Sequence, residues 1–462
     1  MFNRLNIICV IICTCLLTDG TAAARRVWAR PIRIGVALDQ TGPLGSAGRG
    51  ILDGLNAYFA HLNVRGGVHG RPVKLRVYDN ESSAEGTYSN IRRLVKADRV
   101  LIILGPSSYL SVAIQYARIA NEVLIFPFRP FLSKPPSPNL FSLLPSYSTQ
   151  AILAVDFLKE KLKKDRISIA YRDTKFGKGI KSTVAKRLKQ YANEVLVEAP
   201  FPSGATDLSE IVARLISSRT EAVIVLGTAR ESASFLKASS RRGGKFQSLV
   251  ILPLEYHYLL DLLETAGRAA EGVIFCSIFP DTHYTEAPGI KSFREIFSEY
   301  RPGIEPDVYS LMGFTFAKVL SEGIKRAESM TFNGLTKAFE SLSKYDTGIV
   351  PQINFGSQDR QAYNGAYFSV IKNFKYATFY ESVLLQVLLK IKSVPRWADV
   401  LEKTHWGFLG NTGKDGFFSM DVLWKPGTYL IEVRKAGRAK KKSFVVDDDP
   451  EFIEWEANLL KE

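Results

Sequence analysis

The turn Gly105-Pro106-Ser107-Ser108-Tyr109 closes an apolar run and opens a helical one that continues to about Asn121. A serine at a helix start accepts a first-turn amide through its hydroxyl. The same orphan amides, at the positive end of the helix dipole, suit a carboxylate equally well. Ser107 reads as the cap. Ser108 and the amides beside it read either as an anion contact or as more of that cap. Gly48-Arg49-Gly50 also sits between a strand and a helix, as a dinucleotide loop would. Its third glycine is Gly54, one residue too far for G-x-G-x-x-G, and Asp79 lies 29 residues beyond Gly50 where about 20 are expected. No Walker A loop and no G-x-S-x-G elbow is present. The histidines (His61, His69, His257, His283 and His405) stand apart from one another and from cysteine at ligand spacing, so no metal is expected. No carboxylate pair is placed for acid–base work. No cofactor is expected either.

The elements that must carry such turns follow from periodicity. The chain has 462 residues, 46% hydrophobic and 23% charged, enough for about three domains at roughly 150 residues each and too apolar for low-complexity disorder. Short β-rich runs alternate with amphipathic helical patterns from Pro31 to Leu254: Ile32–Leu38, Val73–Tyr78, Val100–Leu104, Val123–Phe128, Ile167–Tyr171, Val195–Val197, Ala222–Leu226 and Leu249–Leu252. Such alternation implies α/β architecture with doubly wound parallel sheets. The loop Pro135-Pro136-Ser137-Pro138, followed by fresh βα units from Gln150, favours two lobes. Near residue 383 the texture becomes all-β: Leu388–Ile391, Phe417–Val422, Tyr429–Val433 and Ser443–Val446 read as short strands between Gly and Pro-Gly turns.

Charge and cysteine usage narrow the class. Lys and Arg number 61 against 46 Asp and Glu, a net charge of +15. The cations are scattered apart from Arg434–Lys442, so no nucleic-acid partner is expected. Residues 1–24 combine Arg4, an apolar Leu5–Leu17 and Ala22-Ala23-Ala24, the plan of a cleaved export signal, with an uncleaved anchor as the alternative. The apolar stretch is shorter than the roughly 20 residues a span requires. The mature chain is therefore expected to be periplasmic. Beyond the signal only Cys276 remains, within the apolar run Gly272–Ile278, so the fold is expected to rest on its core and the thiol to be buried.

Several segments together resemble one family. Gly35–Gly48 (GVALDQTGPLGSAG) is similar to the opening of type I periplasmic solute-binding proteins of the leucine/isoleucine/valine-binding group. Asn63–Asp79 (NVRGGVHGRPVKLRVYD) resembles that family's N-x-x-GGV-x-G-R turn and second strand. The Gly-Pro-Ser-Ser turn, Phe176-Gly177-Lys178-Gly179, Thr206-Asp207-Leu208, Ala270-Glu271-Gly272-Val273 and Phe355-Gly356 to Phe368 follow in the family's order. The match runs over about residues 31–380. Gly66, Gly67 and Gly70 are expected to serve the turn only.

The resemblance implies two lobes, 31–145 with 279–349 and 146–278 with 350–382, joined by three crossing strands around a ligand cleft. It places the ligand's acidic group at Ser107, Ser108 and Tyr109, and at the next turn, Phe128-Arg129, where a small-residue pair is usual in the family. Arg129 offers bidentate contact to an acid, or extends to solvent; Phe128 offers a ring face. In the second lobe it places an aromatic at Phe176, a small turn at Gly227-Thr228, and an acid for a ligand amine at Glu255 with Tyr256. Arg230 or water is the alternative partner of Glu255. Residues 384–447 resemble PEGA and carboxypeptidase-regulatory-like sandwiches through Ser393–Val400, Asp415-Gly416-Phe417 and Lys425–Tyr429, with 448–462 as a tail. The lysines and arginines of residues 434–442 suggest a solubilising edge or a contact with an envelope surface. The implied function is a non-catalytic, extracytoplasmic receptor of an ABC importer, taking a small amino-acid- or amide-like ligand to permease membrane subunits. The alternatives are a sensor signalling through the C-terminal module, or an exported doubly wound enzyme.

Overall fold

Strands buried on both faces define two sheets. The computed structural model describes residues 30–462 except 106–108, 120–121, 244–245, 247, 254–257, 284, 373–374, 384, 395–398, 403–406, 412–416, 425–426, 436–437, 447–451 and 459–462. The expected export signal therefore lies outside the described residues. The first sheet has the order β2-β1-β3-β4, all parallel, with β1 Ile32–Leu38, β2 Val73–Asp79, β3 Ile102–Leu104 and β4 Leu124–Phe126. Helices α1 (Gly45–Val64), α2 (Ala84–Lys96) and α3 (Leu110–Ile119) connect these strands. Alternation sorts β1 between two cores: Ile34, Val36 and Leu38 enter one, Ala37 the other. Three later helices, α9 (Pro288–Tyr300), α10 (Val308–Arg326) and α11 (Phe332–Glu340), complete the first core. There α1 and α10 meet through glycine: a Cβ on Gly54 would lie 1.9 Å from the Ser310 carbonyl oxygen, and one on Gly313 2.0 Å from that of Ile51.

The second sheet has seven strands in the order β11-β10-β9-β8-β7-β5-β6. These are β5 Ile167–Arg172, β6 Glu198–Phe201, β7 Ala222–Gly227, β8 Ser248–Pro253, β9 Ile274–Ser277, β10 Gly365–Lys372 and β11 Lys375–Val383. The first five run parallel; β10 and β11 add antiparallel at one edge. Ala222, Ile224 and Leu226 of β7 enter one core, Val223 and Val225 the other. Its helices are α4 (Tyr147–Asp156, continued by a π-turn at Phe157–Lys161), α5 (Lys175–Gln190), α6 (Ser209–Ser217), α7 (Ala229–Arg241) and α8 (Tyr258–Ala266). Cys276 of β9 is fully buried, and burial raises its thiol pKa far above the ordinary range.

Three passages join the lobes. The Ser142 amide donates to the Arg360 carbonyl (2.8 Å) and its carbonyl accepts from the Ala362 amide (2.8 Å). The Tyr363 hydroxyl donates to the Ile278 carbonyl at 2.7 Å, tying the third passage to the second. Beyond β9, the buried Asp281 carboxylate accepts from the Thr285 hydroxyl (2.7 Å) and the Thr378 amide (3.1 Å), while the Asp281 amide donates to the Thr378 hydroxyl (2.9 Å). The edge strand β11 is thereby fastened to the passage itself.

Some boundaries differ from those expected. The third return to the second sheet comes at Gly365 rather than 350, because Ile353, Phe355, Ala362 and Tyr363 pack in the first core. The expected strand 195–197 is a connection, and β6 follows it; Pro200 fits there because β6 is an edge strand bonded only to β5. At the C terminus, β12 (Leu385–Val394), β13 (Asp399–Glu402), β14 (Gly407–Asn411), β15 (Phe417–Trp424), β16 (Gly427–Lys435), β17 (Arg438–Val446) and β18 (Phe452–Asn458) form two sheets, β15-β12-β18 and β14-β13-β16-β17. Residues 452–458, expected as tail, form a strand parallel to β12. The exposed Lys440, Lys441 and Lys442 lie on the edge strand β17, a placement that discourages pairing with another chain. The turns at 395–398, 415–416 and 425–426 lie outside the described residues.

Helix α5, whose first turn carries Phe176, is anchored to α4 by a buried ion pair. The Arg187 guanidinium donates to both Asp156 oxygens at 2.7 and 2.9 Å, and the Tyr191 hydroxyl donates to Asp156 at 2.8 Å and also to Glu160. Arg187→Leu leaves a buried carboxylate without its cation and should cost about 3–5 kcal/mol, read as an earlier urea midpoint. Arg187→Leu/Asp156→Leu should recover most of that loss. An equal loss in single and double variants would remove the pair as the anchor.

Candidate functional site

Parallel sheets offer ligands the crevice beyond their carboxyl ends, where the strand order reverses. In the first sheet the reversal lies between β1 and β3, which pair at Gly35 with Ile103 and Val36 with Leu104. In the second it lies between β5 and β7, paired from Ile167 with Ala222 to Tyr171 with Leu226. The loops leaving these four strands begin at Asp39, Gly105, Asp173 and Thr228. Tyr109, Phe176 and Thr228 belong to them or to the helix turns they open, and Gly227 ends β7 just before.

The loop after β1 is held by an acid far along the chain. The Asp79 carboxylate, at the end of β2, accepts from the amides of Gln40 (2.9 Å), Thr41 (3.3 Å) and Glu81 (2.9 Å) and from the Thr41 hydroxyl (2.7 Å). Partial burial pushes this carboxyl upward. The hydrogen bonds from Thr41 and from the three amides outweigh that and hold it below the ordinary carboxylate range. This role is invisible to a motif search, because Asp79 serves a loop 38 to 39 residues earlier.

The loop after β3 begins at Gly105, whose φ is +95°; a Cβ there would lie 2.0 Å from the Ala37 carbonyl oxygen. Only glycine lets this turn leave so close to β1. Ser107 and Ser108 lie outside the described residues. Tyr109 is exposed, just before α3. After β4, Phe128 is fully buried with its ring 4.6 Å from that of Phe316. The ring face expected for a ligand is spent on the first core. Arg129 is half-buried beside it.

That segment continues toward the second lobe. The carbonyls of Phe131 and Leu132 accept from the amides of Tyr147 and Ser148, both at 3.0 Å. The Leu132 side chain comes within 3.5 Å of where a Cβ on Gly179 would stand, on the first turns of α5. Phe176, half-buried in that first turn, packs edge-on against Tyr147 with ring centres 5.0 Å apart. The fold thus brings the Phe128–Leu132 segment to the helix start that carries Phe176.

The turn after β7 is a built cap. The Thr228 hydroxyl accepts from the Glu231 amide (3.3 Å), and the Glu231 carboxylate accepts from the amides of Thr228 (2.8 Å) and Gly204 (2.6 Å). Arg172 faces that buried carboxylate at 3.2 Å. A Cβ on Gly227 would meet Glu231 and Phe201 at 3.2 Å, so the turn is close-packed. Gly227 pairs with Pro253 on β8; Glu255 and Tyr256 beyond it lie outside the described residues. Sequence reasoning missed Glu231, although the T-x-x-E spacing of a capping box was there to be read. Among the described residues no cluster of three or more His, Cys, Asp or Glu could hold a metal, and no helix is long and apolar enough to cross a membrane.

Comparison with known proteins accords with this geometry. The sequence model of a family described as periplasmic binding protein matches residues 31–375. The Leu/Ile/Val-binding protein homolog 1 of Brucella melitensis is 22% identical over 328 residues, spanning 69% of this chain and 85% of that protein. A possible leucine/isoleucine/valine-binding protein from Rhodopirellula baltica superposes with a TM-score of 0.65 at 17% identity, over 77% of this chain and 97% of the other. A branched-chain amino acid transporter substrate-binding protein from Streptococcus pneumoniae, solved in complex with isoleucine, superposes with a TM-score of 0.63 at 20% identity, over 76% and 99% of the two chains.

Asp79→Ala removes the carboxylate that accepts from the Gln40 and Thr41 amides and the Thr41 hydroxyl. Faster hydrogen exchange at Gln40 and Thr41 is expected, with a stability loss of about 2 kcal/mol. Because the folded carboxyl titrates below its unfolded value, its contribution is complete above about pH 4 and fades as pH falls through the lower, folded value. Unchanged exchange at Gln40 in the variant would refute the assignment.

Proposed function

The chain belongs to the periplasmic binding protein family, and from that premise we propose that it is an exported solute receptor of an ABC importer. Its ligand is a small amino-acid- or amide-like molecule, held between two lobes that close around it. The observation that carries this reading is the pair of parallel sheets whose reversal points open at their carboxyl ends, joined by three hydrogen-bonded passages. Such passages let lobes rotate as bodies, and closure is driven by contacts made only in the closed state. No bond is made or broken, and no cofactor takes part. The closed form then docks on the permease subunits.

In this reading Ser107, Ser108 and Tyr109 receive the ligand's acidic group on the first lobe, with Arg129 as a second donor. On the second lobe Phe176 and the Gly227-Thr228 turn border the ligand, and Glu255 with Tyr256 receives its amine. Phe128 is withdrawn from this set because its ring lies in the core. The isoleucine bound by the Streptococcus pneumoniae relative supports an amino-acid class of ligand. The half-buried Arg129 in this turn supports a ligand with an acidic group.

A second reading has its own support. β11 is fastened to the passage at Asp281 through Thr378, and a single residue separates it from β12 of the C-terminal strands, which we read as a PEGA-like module. Closure could then be signalled to a partner through that module.

Thermal-shift screening of the exported chain should find stabilisation by amino acids or amides, about 2.7 kcal/mol at a hundred times Kd; stabilisation by neutral sugars alone would overturn the assigned roles of Glu255 and Arg129. Glu255→Ala should weaken the best ligand severalfold or more, and unchanged affinity would remove that residue from the site. Deleting 384–462 should leave uptake intact if the module is accessory. Loss of a downstream response with binding retained would favour the sensor.

A further inference from the structure

At the opposite edge of the first sheet, a second pocket is built from cations. It has a volume of about 210 Å³ and opens between the amino ends of β1 and β3. Arg33 enters it from β1, Arg71 from the turn before β2, and Arg99 from the connection between α2 and β3. The buried Ile32 and Ile102 form its floor. Three arginines from three separate segments line one small cavity.

The charge balance there stays positive. The one acid in the lining, Asp98, already accepts from the Tyr78 hydroxyl at 2.9 Å and faces Arg76 at 3.8 Å. Among the described residues neither Arg33 nor Arg99 forms an ion pair. Arg71 is oriented by its Nε, which donates to the Arg30 carbonyl at 2.7 Å, so its terminal nitrogens remain for another acceptor. Arg99 stands at φ +53°, a left-handed conformation that favours glycine.

We propose that this pocket is a second binding site, for a tetrahedral oxyanion of the phosphate type. Planar guanidinium forks match phosphate oxygens in pairs. The site is separate from the cleft: β1 has seven residues and leads from Arg33 near one edge to the Asp39 loop at the other, roughly 20 Å at about 3.3 Å per residue. The anion is either free phosphate or the headgroup of an anionic lipid, and the two sources share this chemistry.

The test is calorimetric titration of the exported chain with inorganic phosphate at fixed ionic strength, with chloride as the reference anion. Saturable phosphate binding is expected, weakened about tenfold or more by Arg33→Gln and by Arg99→Gly. Arg99→Gly suits the local backbone, so lost binding with an undiminished melting temperature reports the missing guanidinium. Arg129→Gln, at the cleft, should leave phosphate binding unchanged, which separates this site from the proposed ligand site. Co-sedimentation with phosphatidylglycerol vesicles, absent with phosphatidylcholine and lost in Arg99→Gly, assigns the lipid headgroup; phosphate binding without it assigns the free anion. The proposal is overturned if the chain binds neither, or if both arginine variants bind as the unaltered chain does.

Discussion

The exchange of hydrogen bonds between Ser142 and the returning chain at Arg360 and Ala362 ties the first and third passages to each other, while Tyr367 of β10 packs into the first core beside them. Each core could be satisfied alone: each sheet buries both faces under its own helices. What neither lobe can supply alone is a concave site. The passages are short and cross-linked, the Tyr363 hydroxyl to the Ile278 carbonyl being the second tie. They leave few degrees of freedom between lobes, so relative motion is confined to rotation about them. The loops at the carboxyl ends are then the groups whose separation such a rotation changes.

The lobes resist deformation by different means. In the first, α1 and α10 approach closely because Gly54 and Gly313 remove the side chains that would hold them apart. In the second, a carboxylate with no solvent contact and a guanidinium lock α4 to α5, with Tyr191 closing the network. Neither device sits at the candidate site. Both keep strand ends and helix starts from drifting, and a ligand site needs its groups held to fractions of an ångström.

Much of the architecture was legible because its strands are buried on both sides and so read as unbroken apolar runs. The strands of both sheets up to β8 appear where such runs predict them, save the shift from 195–197 to β6. The shift is small: Leu196 and Val197 already exchange backbone hydrogen bonds with β5 (2.8 and 3.1 Å), and the regular pairing continues through Glu198–Phe201 despite Pro200. Turn chemistry was readable at Gly105, where a φ of +95° restricts the residue type, and lay in the T-x-x-E spacing at Thr228, where the side chain caps the helix. Side-chain direction was not. Phe128 and Arg129 are neighbours in one turn, yet one ring is sealed in the core and the other side chain is half-buried. Composition carries no trace of which way each points. Asp79 escaped for another reason: its partners are set by the pairing of β1 with β2, a long-range fact. The extent of the first core through Tyr363 depends likewise on contacts made by segments with no regular element of their own.

The final strand carries a consequence for the integrity of the chain. Among the described strands β18 flanks β12 on the side opposite β15, pairing parallel along Leu388–Val394. Loss of β18 would strip that neighbour away and uncover the seven-residue row Leu388–Val394 of β12. Such a row recruits strands from other molecules. Loss of β18 would thus move the open edge of this sheet from β18 to β12, with the α/β lobes themselves untouched.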